Sequence, residues 1–241
     1  MATVNSLMMK IIRTEPKRTA EEEPMPAPQR VTRAALTAAA RTIAERDGID
    51  AVTISAVAAA VGVRAPSLYK HVTHRHDLLR LIADDAAREL GDDIAALAGS
   101  AADPATALTA IGHAFRAFSA RSPRAASLLF SGAALSAEPA SESMSALTAT
   151  LLDAVRASTP GDPLPAARTL TAWAHGFCTM EQAGAFRLGG DVDEAFEFGL
   201  ATLVAALTDL RAAPETPRRE TVHDSGRLQA EAAGRRGNTR L

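Results

Sequence analysis

Alanine fills 54 of the 241 positions, and that excess narrows the possible folds more than any other feature of the chain. Alanine is the strongest helix former and a poor strand former, so an all-α fold is expected. Aromatic residues are only 4% of the chain, which leaves close helix-to-helix approach, with few bulky anchors, to build the core. Apolar residues at 47% and charged residues at 22% place it among globular chains. No apolar run reaches the roughly 20 residues of a membrane span, so no membrane partner is expected. The opening MATVNSLMMKIIRTEPK has no secretory pattern, and the expected location is the cytoplasm. Cys178 is the only cysteine, which excludes an internal disulfide framework and a cysteine-based zinc cage. No metal, cofactor or catalytic set is expected.

Proline and glycine divide the chain. Residues 1–29 hold Pro16, Pro24, Pro26, Pro28 and the acidic run Glu21–Glu23, and read as a disordered arm. Residues 212–241 lack apolar periodicity and read as a disordered tail. Between them Leu36, Ala39, Ala40 and Ile43 follow the i, i+3, i+4, i+7 spacing of a first helix over 32–46. Ile54, Val57, Ala58 and Val61 repeat it behind Thr53, a good N-cap, and Gly62 stops that helix. A third begins at Ala65–Pro66 and is predicted to run to His71. Longer helices are predicted over 75–97 and from Asp103–Pro104, with shorter ones over 122–130 and 137–157. The last two span 166–186 and 192–210, joined across Leu188–Gly190 with Asp191 as a cap.

Charge is segregated along this order. Residues 30–80 carry 8 Lys/Arg against 4 Asp/Glu, net +4, whereas residues 81–210 carry 7 against 16, net −9. A basic segment beside an acidic one suggests a nucleic-acid-facing module on a body that does not touch phosphate. Three short helices with a tight glycine turn between the second and third form a helix-turn-helix pattern. Its third helix presents Arg64, Ser67 and Lys70, with Tyr69 and His71 at the rim, while Leu68 and Val72 point back to the core. Arg and Lys reach guanine acceptors, Ser contacts a base edge or phosphate, and Tyr and His offer donors to the backbone.

The run from Gly48 through Thr53, the Ala58-x-x-x-Gly62-Val63 turn and the Leu68-Tyr69-Lys70-His71-Val72 close resembles the DNA-binding domain of TetR-family repressors. Arg75, His76, Asp77, Leu78 and Leu79 match the opening of its fourth helix. Trp173-Ala174-His175-Gly176-Phe177, followed by Glu181 and Asp193-Glu194-Ala195-Phe196, resembles the WHG type of TetR C-terminal domain. The resemblance implies a helix-turn-helix domain over 30–76 and a larger helical ligand-binding and dimerisation domain over 77–211. It implies a homodimer on double-stranded DNA at a palindromic operator, released by a small-molecule effector. Carried over by position, Thr53 caps the second helix near a phosphate. Arg64, Ala65, Ser67 and Lys70 face the groove, and Tyr69, His71 and Arg75 grip backbone phosphates. The fourth-helix cap falls to Thr73 or His74.

Other features carry two readings each. His71, His74 and His76 cluster as metal ligands would, but without cysteine and with few carboxylates; phosphate contact or an exposed helix start is the competing account. Trp173, Phe177, Met180 and Gly184 form one stripe that is either plain core or, with Phe115, Phe118 and Met144, a cavity wall. His113 and His175 would be its polar contacts. The small-residue stripe Ala172, Gly176, Thr179 and Ala183 suits either a four-helix dimer interface or packing within the chain. Cys178 reads as a buried inert thiol. Two rival functions remain: a helical protein of this fold that has lost specific DNA binding, and an all-helical enzyme. The enzyme lacks any Ser/His/Asp arrangement, phosphate-binding glycine loop or metal-ligand spacing.

Overall fold

The computed structural model describes residues 31–132 and 141–212. The arm over 1–29, the tail beyond Ala212 and the start of the segment expected over 137–157 lie outside these. Among the described residues there are nine α-helices and no strand. They are α1 (Arg33–Asp47), α2 (Ile54–Ala60), α3 (Ala65–Leu68), α4 (Arg75–Ser100) and α5 (Pro104–Arg121). The rest are α6 (Pro123–Leu128), α7 (Glu142–Ser158), α8 (Leu164–Gln182) and α9 (Val192–Ala212). Among the described residues no helix is long and apolar enough to cross a membrane.

Caps account for most of the boundaries. Thr32, Thr53, Asp103 and Ser141 each accept a bond from the backbone N–H three residues on, fixing the first turns of α1, α2, α5 and α7. Asp191 accepts from the N–H of Asp193 at 2.8 Å, as expected for the start of α9. At α4 the position before the helix is His74, and the Asp77 carboxylate accepts from the N–H groups of Thr73 (2.7 Å) and His74 (3.0 Å). Those backbone donors hold Asp77 below the ordinary carboxylate range. α3 is shorter than predicted. It ends at Leu68, because the N–H groups of both His71 and Val72 turn back to the Leu68 carbonyl and close a tighter turn.

α4 is the element shared by head and body, contacting α1, α5, α6 and α7. Leu79, Ile82, Ala83, Ala86 and Leu90, the face predicted from periodicity, are all buried. One continuous apolar cluster runs from Leu36 and Ile43 of α1 through this face to Phe115, Phe118 and Leu128. Full burial of each large side chain contributes about 1.5–3 kcal/mol. A second cluster joins α5, α7, α8 and α9 around Leu108, Val155, Leu170, Phe196 and Leu200.

The few aromatics concentrate at that second cluster. Trp173 lies 5.2 Å from Phe196 and 5.7 Å from Phe177, ring centre to ring centre. The Arg116 guanidinium sits 4.6 Å over the Phe196 ring and pairs with Glu181 of α8 and Asp193 of α9, fastening three helices at one point. α9 can approach Trp173 only because Gly199 has no side chain: a Cβ there would lie 2.4 Å from the indole Cζ2. Gly199→Ala should therefore lower stability in urea unfolding by ~1–3 kcal/mol through overpacking. The sign decides the matter, since alanine's better helix propensity alone would stabilise by up to ~1 kcal/mol.

Candidate nucleic-acid interface and ligand cavity

The head is assembled around its turn. Gly62 takes φ +74°, and the N–H groups of Gly62 and Val63 donate to the carbonyls of Ala59 (3.2 Å) and Ala58 (2.9 Å). This is a Schellman closure of α2, which requires the left-handed conformation that glycine adopts without penalty. It sets α3 across α2, with Leu68 and Val72 buried as predicted. Arg64, Ser67, Tyr69, Lys70 and His71 are then exposed together. The side chains of these five make no hydrogen bond or ion pair with another described residue. Thr53 is exposed at the start of α2 with its hydroxyl accepting from Ala56, and Ala65 is half-buried. The surface is a compact set of donors unengaged by the described residues.

Arg75 departs from its expected role. Its Nε donates to the Val52 carbonyl at 2.9 Å, and one terminal nitrogen donates to the Ile49 carbonyl at 2.7 Å and approaches Asp50 at 3.3 Å. The guanidinium clamps the 3₁₀ turn Ile49–Ala51 ahead of α2 instead of reaching outward for a phosphate. The Ile49 carbonyl also accepts from the Val52 N–H, so the fork of Arg75 adds a second bond there while reaching the Val52 carbonyl, tying two points of the turn to α4. His71, His74 and His76 do not converge: among the described residues there is no grouping of His, Cys, Asp or Glu that could hold a metal ion.

The body carries a half-open cavity of about 540 Å³, of the size that takes a drug-sized molecule. Its wall is formed by α4, α5, α7 and α8 together with Leu129 and Phe130, which follow α6. Of the expected lining residues, Phe115, Met144 and His175 are there. The His175 ring lies 4.3 Å from that of Phe130, and burial pushes its pKa below the ordinary histidine value.

The remaining expectations are corrected. Phe118 is fully buried in the core between α1, α4 and α6, with Arg41 and Arg121 over its ring. His113 pairs with Glu197 at 3.3 Å and meets Phe196 edge-on. Trp173 and Phe177 belong to the aromatic cluster at α9, and Met180 is 48% exposed. The Trp173 stripe lies on the side of α8 opposite the cavity. The cavity face is instead Arg168, Thr171 and His175, spaced i, i+3, i+7. That spacing was present in the sequence, but without an aromatic to draw notice. Cys178 is buried, and burial raises its thiol pKa. Ala172, Thr179 and Ala183 are exposed and Gly176 is half-buried, so this face is left open by the described residues.

Head and body are joined by charge. Arg41 of α1 pairs with Asp85 (2.8 Å) and Glu89 (2.6 Å) of α4 and donates to the Ser122 hydroxyl at 2.9 Å. Burial pushes Glu89 up, yet bonds from Arg121 and Arg41 hold it below the ordinary carboxylate range. Glu45, one turn further on α1, accepts from the N–H groups of Arg124 (3.1 Å) and Ala125 (2.9 Å) and so caps α6 from another element. Met144 lines the cavity and also a polar cleft of about 230 Å³ that contains Arg33, His71 and Asp84.

Comparison with known proteins agrees with this geometry. Residues 36–82 match the model of bacterial regulatory proteins of the TetR family, and residues 108–203 match a tetracyclin repressor-like C-terminal domain. An uncharacterized HTH-type transcriptional regulator of Mycobacterium tuberculosis is 38% identical over 55 residues, 23% of this chain and 25% of that protein. The match thus spans about a quarter of that curated relative's length. BioQ of Mycobacterium smegmatis superposes with a TM-score of 0.59 at 26% identity, over 75% of this chain and 99% of that one. A TetR variant of Acinetobacter baumannii in complex with minocycline superposes at 0.62 and 22% identity, over 76% and 100%. With both family models in register with the head and the body just described, the chain belongs to the TetR family of bacterial transcriptional regulators.

Proposed function

We propose that this chain is a ligand-responsive transcriptional repressor that binds a palindromic operator as a homodimer and leaves it when a small molecule enters the body. The observation that carries the reading is the rim of Arg64, Ser67, Tyr69, Lys70 and His71, exposed together with no partner within the described chain. Donors left open at the mouth of a helix-turn-helix suit phosphate oxygens and guanine edges. The rival reading of a fold that has lost its DNA contacts has no account of why these five residues stay polar and unengaged.

Dimerisation is supported by two exposed faces. On α8 it is the small-residue stripe; on α9, Ala195, Phe198, Thr202 and Ala205 are exposed, Phe198 at 76%. Apolar and small residues aligned on adjacent helices suit a symmetric four-helix contact. Effector release is supported by what the cavity touches. A molecule in the cavity presses on Leu129 and Phe130, which end the segment whose start Glu45 holds, and on Met144, whose other side faces the cleft at His71. The minocycline bound to the A. baumannii relative of the same fold is in keeping with a body that houses small molecules.

Selection of bound sequences from a random DNA library tests the assignment directly and should return an inverted repeat; absence of any enriched sequence would refute it. On that operator Lys70→Ala should reduce the slope of log affinity against log salt by about one, the loss of one phosphate contact. Glu45→Ala should weaken binding with the slope unchanged, because it removes a helix cap worth ~1 kcal/mol and no phosphate contact. For the dimer, Phe198→Glu should shift sedimentation toward the monomer while helical content measured by circular dichroism is retained.

A further inference from the structure

We propose that the cavity is selective for an organic monocarboxylate, an apolar body carrying one carboxylate that seats against Arg168. The inference rests on the reading of this cavity as the effector site and adds the ligand's chemical class. The wall is mostly hydrocarbon; its polar groups are a stripe of α8, where Arg168, Thr171 and His175 stand one above another, and Thr148 of α7, whose hydroxyl already donates to the Met144 carbonyl. None of the lining residues is an Asp or Glu, although the segment 81–210 as a whole carries net −9. The cavity is therefore a positive spot in an acidic body.

Arg88, Arg116, Arg121 and Arg156 of the same body all lie within ion-pair distance of a carboxylate. Arg124, Arg168 and Arg187 do not, and of these three Arg168, an exposed residue, is the one on the cavity wall. Arg168 makes no ion pair or hydrogen bond with another described residue, and neither does the hydroxyl of Thr171 one turn along. Arg stays charged at every physiological pH, and its planar fork matches the two oxygens of a carboxylate. His175, held neutral by burial, contributes hydrogen bonding without charge. An amine in this cavity would meet Arg168 with no carboxylate to offset it. A phosphate dianion would find one guanidinium for two charges. A neutral alcohol could use Thr171 but leaves the guanidinium without a partner. A monocarboxylate answers all three groups, with Leu147, Leu151 and Phe115 left to the tail.

The test uses the full chain at pH 7.5 and three probes that share one tail: decanoate, 1-decanol and decylamine, each below its micelle concentration. Each competes with the neutral dye N-phenyl-1-naphthylamine. Decanoate should displace the dye with a Kd about tenfold or more below that of decanol, with decylamine the weakest, the margin of a charge-assisted bond. Arg168→Gln should abolish the preference by weakening decanoate alone, and Arg168→Lys should restore part of it. Equal affinities for decanoate and decanol, or a preference that survives Arg168→Gln, would overturn the carboxylate assignment and leave the cavity as an apolar site. Leu147→Trp should exclude the dye and all three probes; Leu151→Trp serves if the first variant loses helical signal. If no probe binds the unaltered chain, or if binding persists with the cavity filled, the effector-site reading falls together with the assignment.

Discussion

The junction on one side of α1 governs how head and body act together. Two consecutive turns of that helix carry opposite charges aimed at different targets: Arg41 at the carboxylates of α4, Glu45 at the backbone of α6. The Arg41 node is mostly buried, its side chains 20–29% exposed, so it is screened less than a surface pair and loses more if one partner moves. Glu45 does something a surface carboxylate rarely does, closing the first turn of a helix eighty residues away in sequence. A short helix with proline at its first position cannot continue backward, and its orphan N–H groups need an acceptor from elsewhere. The angle of α6 against α1 is thereby fixed by hydrogen-bond geometry as well as by packing.

That arrangement ties the head of an alanine-rich chain to its body. Cores of small side chains hold helices close, and close-packed interiors transmit displacement instead of absorbing it. Here the apolar cavity lies where α6 ends and α7 and α8 pass, directly behind the capped element. The sparse aromatics do not fill it. Trp173, Phe177 and Phe196 gather instead where Arg116 joins α5, α8 and α9. One side of the body is fastened and the other hollow, and the hollow side is the one that leads to the head.

How much of this the sequence disclosed depended on how local the cause was. Caps are read from one residue and its neighbours, so Thr53 and Asp191 were legible at once, as was the Gly62 turn. The unengaged rim of α3 was legible because its periodicity and chemistry agree over eight residues. Arg75 was not: its partners are carbonyls more than twenty residues back, and a guanidinium on a basic module is equally suited to phosphate. The cavity was half legible. Phe115, Met144 and His175 carry in sequence the marks of lining residues, but so does the Trp173 stripe, where large rings concentrate. Bulk marks filled space. A void is lined by what remains, and on α8 that was Arg168 and Thr171.

Gly199 shows the same principle from the opposite direction. Trp173 attracts a ligand-binding reading because it is the chain's single tryptophan, yet its indole already has an occupant's place filled by backbone. The contact could be seen only once α8 and α9 were laid side by side, since nothing in either segment alone states that a glycine on one faces a ring on the other. A tryptophan seated on a glycine is committed to holding two helices at short range. It follows that the residues free to recognise a ligand are those the packing has left without a neighbour, and in this body they lie on the face of α8 that points away from its only tryptophan.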